Sequence, residues 1–370
     1  MSLTVVVAPD SFKGSLSAAQ VAEEIAAGWR SVRPDDTLVL VPQADGGEGT
    51  LDAVQRTVPG SRRHSTGPVV GPDGRATEGE WVELPNGTAV VELAQMSGLP
   101  LMRNLDPRGS GTRGLGQVIR AALDAGATSL LIGLGGSAST DGGAGALAAL
   151  GAEFLDNDGA TLPDGGAALA RLATIDLSAL LPAPAGGVTL LTDVTAPLLG
   201  PLGAAAVFSP QKGADEDTVA ELENALTHLH RVLGGDAEVP GTGAAGGCAF
   251  GLQAAWGATI RPGWDYLAEI ADVRAAIAGA DVLLTGEGRF DEQSLRGKVV
   301  GQLLGVAASH GVTSGVIAGQ LTAGPGVWSK SLVTLAGSVE AAMADPARWL
   351  RAAGTAAASA LPAGTGGPHA

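Results

Sequence analysis

Short apolar runs that end in glycine-rich, acid-bearing loops and then pass into helix-spaced segments recur along this chain. That alternation constrains the fold more than any other feature. Thr4-Val5-Val6-Val7-Ala8 reads as a buried strand, and after a loop Ser17-x-x-Gln20 gives a capping-box pattern. The helix it opens carries Val21, Ile25 and Trp29 on one face. Residues 38–41 make a second strand, followed by Ala44-Asp45-Gly46-Gly47-Glu48-Gly49, where Thr50 can cap a short helix. Near the other end, residues 281–285, 315–318 and 332–336 supply three more apolar strands between helical segments.

The middle of the chain has a different texture. Residues 62–93 form short β-like runs broken by Gly67-Pro68, Gly71-Pro72-Asp73-Gly74 and Pro85-Asn86-Gly87. Leu115, Val118, Ile119 and Ala122 then have helical spacing, and strands follow at 129–132 and 188–191. Val219, Leu222, Leu226, Leu229 and Leu233 mark a longer helix, with Thr218 and Glu221 as its expected cap. Five alternating outer strands fit an α/β fold with a doubly wound parallel sheet of flavodoxin-like order, interrupted by an inserted α/β domain. The expected boundaries are 1–61 and 275–353 for the discontinuous domain and 62–274 for the insert. The default site is the cleft between them. Residues 354–370 read as an Ala/Gly/Pro-rich tail with no chemistry.

Composition removes several function classes. A net charge of −16 argues against nucleic acid, whose binders present basic faces. An anionic ligand would need local cations, helix N-termini or a divalent metal. The 57 glycines are clustered and show no repeat period, so they serve backbone geometry. One cysteine, Cys248, cannot form an internal disulfide, and the first residues show no basic leader, so a cytoplasmic location is expected. No apolar stretch approaches the roughly 18 residues of a membrane span, and no membrane partner is expected.

The loops carry the candidate chemistry. Ala8-Pro9-Asp10-Ser11-Phe12-Lys13-Gly14 follows the first strand, so Ser11 and Lys13 could bind a carboxylate or phosphate, or form a plain surface turn. Asp45 and Glu48 lie among three glycines, a set of hard oxygen donors that suits Mg²⁺. In Gly133-Leu134-Gly135-Gly136-Ser137-Ala138-Ser139-Thr140-Asp141-Gly142-Gly143, backbone N–H groups could cradle phosphate. The same stretch imitates a dinucleotide fingerprint, but Asp141 would point negative charge at the pyrophosphate unless a metal intervened. Asp193 ends a strand and could accept a hydroxyl proton, hold Mg²⁺ or merely cap a helix; Lys212 could steady transferred charge. In Gly286-Glu287-Gly288-Arg289, Arg289 offers a bidentate fork and Glu287 a metal or base, unless the loop is only ion-paired surface.

Of four lysines, Lys13, Lys212 and Lys298 sit in Gly-containing loops beside acids, and Lys330 does not. The five histidines lack metal-ligand spacing, and no P-loop or nucleophile elbow is present.

The segments at 8–13, 44–50, 135–145, 210–214, 243–247 and 285–289 together resemble the signature blocks of bacterial class I glycerate kinases. The resemblance spans roughly residues 3 to 345. It implies transfer of a phosphoryl group from ATP to D-glycerate, usually at the 2-hydroxyl, in glyoxylate and related metabolism. It also implies a discontinuous flavodoxin-like domain with an inserted second domain specific to such kinases; Mg²⁺, suited by the acid loops, and a monomer or homodimer are expected with it. Two blocks depart from the pattern: Thr192-Asp193-Val194-Thr195-Ala196 stands where Cys-Asp-Val-x-Asn is usual, and Ser209 stands where Gly is usual.

On this reading Asp193, Lys13 and Lys212 are catalytic, and Ser11, Arg289 and Lys298 bind substrate. Gly135, Gly136, Ser137 and Ser139 bind phosphate, while Asp45, Glu48, Asp141 and Glu287 bind metal. An NAD(P)-dependent oxidoreductase of small hydroxy acids is the alternative, and a non-catalytic organic-acid binder the third reading.

Overall fold

The computed structural model describes residues 2–295 and 299–361. Its strands are β1 (Thr4–Val7), β2 (Thr37–Leu40), β3 (Arg62–Val70), β4 (Ala76–Glu83), β5 (Thr88–Glu92), β6 (Ser129–Gly133) and β7 (Glu153–Leu155). They continue as β8 (Thr174–Asp176), β9 (Val188–Leu191), β10 (Thr259–Arg261), β11 (Val282–Phe290), β12 (Thr313–Leu321) and β13 (Trp328–Ser331). Two compact units emerge. One comprises Met1–Ala44, Asp52–Val58 and Leu267–Ala370, and the other Asp45–Leu51 and Pro59–Tyr266. The acid loop at 45–51, expected in the discontinuous domain, thus packs with the second unit.

In the first unit the sheet order is β13-β12-β11-β1-β2 with every pair parallel. Counted within the unit this is 2-1-3-4-5, the expected flavodoxin-like order, and its switch point lies between β1 and β11. Val5, Val7, Val282 and Leu284 bury completely because they sit in the middle of the sheet under helices on both faces. The capping box of Ser17 and Gln20 is formed, and it starts the helix Ala18–Arg30. A second helix, Pro346–Ala360, crosses it so closely that a Cβ on Gly28 would lie 2.1 Å from the Arg351 carbonyl oxygen.

Three expectations change in this unit. The run at 332–336 is a helix, Leu332–Ala336, and the strand is the preceding β13; the Ser331 side chain accepts from the Thr334 N–H and caps it. A short apolar run does not reveal its own period, so the cap decides. The tail begins later than residue 354, because alanine-rich sequence continues the last helix to Ala360 with Ala353, Ala357 and Ala358 buried. Finally, β11 runs on to Phe290, so Glu287 and Arg289 stand on a strand paired with Ala318 and Gln320 rather than in a loop.

The second unit has a six-stranded sheet, β10-β9-β6-β5-β4-β3, and a β7-β8 hairpin. β5, β6, β9 and β10 are parallel, while β3-β4-β5 is the antiparallel meander announced by its turn residues. The helix Arg113–Asp124 buries Leu115, Val118, Ile119 and Ala122 against it. The helix Glu216–Leu233 begins earlier than expected, because Asp215 accepts the Thr218 N–H at 2.9 Å and is the true cap. Among the described residues, no helix is long and apolar enough to cross a membrane.

Candidate active site

Four parallel strands of the second unit end on one edge, and the carboxyl edge is where such sheets hold ligands. β6 runs into the glycine-rich turn and β9 into Thr192-Asp193, while β5 ends at Glu92 and β10 at Arg261. The loop at 45–49 is laid backbone to backbone on the turn. A Cβ on Gly133 would sit 2.4 Å from the Gly46 carbonyl oxygen, and one on Gly135 would sit 2.5 Å from the Gly47 Cα. The Gly135 N–H donates to the Gly46 carbonyl at 3.1 Å, closing the contact. Only glycine allows this approach.

The acid loop is fixed at both ends. Asp45 Oδ1 accepts the Gly47 N–H at 2.9 Å, and the buried Glu92 carboxylate accepts the N–H groups of Gly49 (3.1 Å) and Leu51 (3.0 Å). Glu92 supplies the acceptor that the first turn of the helix Thr50–Thr57 requires. Thr50, expected to cap this helix, instead donates its hydroxyl to the Gly47 carbonyl at 2.7 Å. Asp45 is half-buried and Glu48 exposed.

Asp193 is exposed at its residue surface, yet its carboxylate lies among enough protein for desolvation to push its pKa up. Asp45 and Asp265 push in the same direction, against N–H donation from Gly263 at 2.7 Å and from Trp264. The helix-capping reading of Asp193 is therefore realised, and the Asp45 charge is close enough to act on it. A carboxylate with a raised pKa beside a second carboxylate suits a proton acceptor.

Asp141 does not join this group. It is fully buried, and its oxygens accept from Thr112 N (2.8 Å), Thr112 Oγ1 (2.9 Å), Gly145 N (3.0 Å) and Gly143 N (3.2 Å). Oδ2 takes three of these donors and Oδ1 one, and with the carboxylate closed off from solvent its contacts are those of a structural acid. The Ser139 hydroxyl, assigned to phosphate from sequence, is buried and donates to the Ala245 carbonyl at 3.0 Å. Lys212 is only 2% exposed, and its Nζ donates to the Ser139 carbonyl (2.7 Å) and Ser137 Oγ (3.1 Å). Gly135, Gly136 and Ser137 form the accessible lip of the turn.

In the first unit, the loop after β1 reaches the switch point beside β11. The Asp10 N–H donates to the Gly286 carbonyl at 2.8 Å, and a Cβ on Gly288 would come within 3.6 Å of the Lys13 backbone nitrogen. This brings the half-buried Ser11 and Glu287 and the exposed Lys13 and Arg289 to one sheet edge. Lys298 lies outside the described residues. Glu92 and Thr112 were missed from sequence. Glu92 did carry a signal, since it ends an apolar strand with an acid as Asp193 nearly does.

The family model for the glycerate kinase family matches residues 5–361. The chain belongs to the glycerate kinase family. It is 42% identical over 334 residues to the glycerate 2-kinase of Escherichia coli K12, covering 88% of this chain and 87% of the relative. It is 41% identical to the glycerate kinase of Bacillus subtilis 168, covering 86% of each. A crystal structure of a protein described as a glycerate kinase 2 from Salmonella typhimurium LT2 matches with a TM-score of 0.80 at 36% identity, over 98% of both chains.

As a member of this family the protein is an enzyme that phosphorylates glycerate. The oxidoreductase reading falls with that finding. Structure supplies the physical reason: Gly133 and Gly135, which imitate the dinucleotide fingerprint, are spent on packing against Gly46 and Gly47.

Proposed function

We propose that the enzyme transfers the γ-phosphoryl group of ATP to the 2-hydroxyl of D-glycerate with Mg²⁺. The observation that carries this reading is the seating of the acid loop on the glycine-rich turn, with Asp193 electrostatically coupled to Asp45. Among the described residues, no group of three or more His, Cys, Asp or Glu side chains could hold a metal alone. That fits Mg²⁺, which commonly takes one or two carboxylates and completes its shell with phosphate oxygens and water. Asp45 and Glu48 would hold it, and when bound it would neutralise charge on the phosphates.

The chain's own groups divide the remaining work. Gly135, Gly136 and Ser137 present backbone and hydroxyl groups to phosphate, and Asp193 takes the proton of the attacking hydroxyl. Ser11, Lys13 and Arg289 bind the substrate carboxylate, Arg289 through its planar fork and Lys13 as a point charge. Glu287, beside them on β11, supports a metal or orients a cation. Positioning and charge neutralisation supply most of the acceleration, as in other phosphoryl transfers.

Phosphorus NMR of a reaction of D-glycerate with MgATP tests this directly. The expected product is 2-phosphoglycerate with one ADP formed per turnover. Accumulation of 3-phosphoglycerate would refute the regiochemistry, and product formation without ADP would refute the donor.

A further inference from the structure

The sequence reading gave Lys212 to the transferring phosphoryl group, but the structure gives it a different occupation. Lys212 ends a single turn of 3₁₀ helix, Pro210–Lys212, stopped by Gly213 in the left-handed conformation (φ 96). It lines a small interior cavity together with Ala204, Ala205, Leu222 and Leu226, and its ammonium reaches the glycine-rich turn. Its ammonium meets the Ser139 carbonyl and the Ser137 hydroxyl at hydrogen-bond distance.

Every step of the chain beyond that point is also tied from the inside. Ser139 Oγ donates to Ala245, Thr140 Oγ1 donates to Pro107, and the Gly142 N–H donates to Gly246. Asp141 then gathers Gly143 and Gly145. Lys212 and Asp141 are thus two buried ionisable groups gripping the two halves of one segment, with burial pushing the Asp141 carboxyl up against the pull of its N–H and hydroxyl donors. The ionisable groups that act on Lys212 are Asp141, which favours the ammonium, and the buried Cys248. The other residues lining its cavity include the apolar Ala204, Ala205, Leu222 and Leu226.

We propose that Lys212 is a positioning residue, clamping residues 137–139 from their buried side so that the lip at 135–137 is rigid when phosphate arrives. It does not touch the transferred phosphoryl group. The clamp follows from the packing alone, whereas its kinetic consequence rests on the phosphate-holding role proposed for the turn.

Lys212→Met separates the possibilities. In the nucleotide-free protein, amide exchange of Ala138, Thr140 and Gly142 should accelerate about tenfold or more, while amides of the helix Ala18–Arg30 hold. Unchanged exchange at all three would overturn the clamp. In turnover assays, KM for ATP should rise about tenfold to a hundredfold with kcat within about threefold, the pattern of lost ground-state binding. A fall in kcat of about a hundredfold or more at unchanged KM would place the ammonium on the reacting group and overturn the proposal.

Should the variant not fold, lysine Cε NMR of the wild type decides instead. Burial pushes Lys212 down to about 8, so its signal is recognisable by its titration. Addition of MgADP should raise that titration only modestly, because the Ser137 hydroxyl stands between the ammonium and the phosphate, and a return to the ordinary lysine range near 10.5 would mean direct contact with phosphate and refute the clamp. Failure of MgADP or MgATP to bind by calorimetry would sink the proposed function, while ligand-free exchange of the variant, or of the wild type across the Lys212 titration, still decides the clamp.

Discussion

The buried ammonium of Lys212 makes a stability prediction with an unusual sign. Burial lowers its pKa from 10.5 to about 8. A depression of that size corresponds to about 3 kcal/mol of differential interaction, undiscounted because the group is buried on all sides. Below pH 8 the lysine is charged in both folded and unfolded chains, so the folded state carries the whole penalty. Between about 8 and 10.5 the folded protein has lost the proton and the unfolded chain has not, so stability rises with pH through that window. From about pH 7.5 to about pH 9.5 the gain should reach about 2 kcal/mol.

Cys248 acts in the opposite sense. Burial raises its thiol well above 9.0, so the stability it contributes is lost as pH climbs past that value. Comparison with Lys212→Met removes the larger part of this, because both proteins keep the buried thiol and burial is the main cause of its shift; loss of the ammonium raises the thiol further in the variant. The assay is denaturant-dependent amide exchange of peptides from Pro59–Tyr266, which isolates that unit. The wild type should gain about 2 kcal/mol on the variant across the window. Parallel pH curves for the two proteins would show that the ammonium is solvated and would refute the reasoning.

Asp193→Asn should lower kcat by about two to four orders of magnitude if the carboxylate is the base. Its urea midpoint should barely move, because the amide oxygen can still accept from Gly263. Gly135→Ala puts a Cβ 2.5 Å from the Gly47 Cα, so it should cost about 1–3 kcal/mol and abolish turnover by displacing the acid loop. A stable, fully active protein would show that the loop-on-turn seating is dispensable. Lys13→Ala and Arg289→Ala should each raise KM for glycerate about tenfold or more, leaving KM for ATP near its starting value. A rise confined to ATP would reverse the assignment of the two loops.

The parts of the fold that sequence revealed are those governed by one-dimensional rules. Burial on both faces writes a continuous apolar run into β1, β11 and β12, and the Ser17 and Gln20 pair announces its helix with a reciprocal bond that depends only on spacing three. The run at 332–336 misled because five apolar residues satisfy either period, and a serine just before them settled the matter. Alanine-rich sequence after 354 looked like a tail because low complexity hides the distinction between a solvated segment and a helix of small residues pressed against another helix.

Site residues divide along a different line. Glycine-rich loops with polar side chains are the mark of a place where backbones approach closely, and a close approach serves either a ligand or another loop. Within residues 133–139, Gly133 and Gly135 pack on Gly46 and Gly47, while Gly136 is exposed and Ser137, with the Lys212 ammonium on its hydroxyl, is half-buried; the phosphate role proposed for the turn falls to these last two. Nothing in the order of residues tells Ser137 from Ser139, although one hydroxyl lies at the lip and the other is sealed against Ala245. The same holds for the acids. Asp45 is half-buried and its charge acts on Asp193, whereas Asp141 is fully buried and accepts from four protein donors. A polar residue that shapes a phosphate site from within and one that meets the phosphate share composition and spacing. They differ in burial and in which donors have already claimed them, and those properties exist only once the chain is folded.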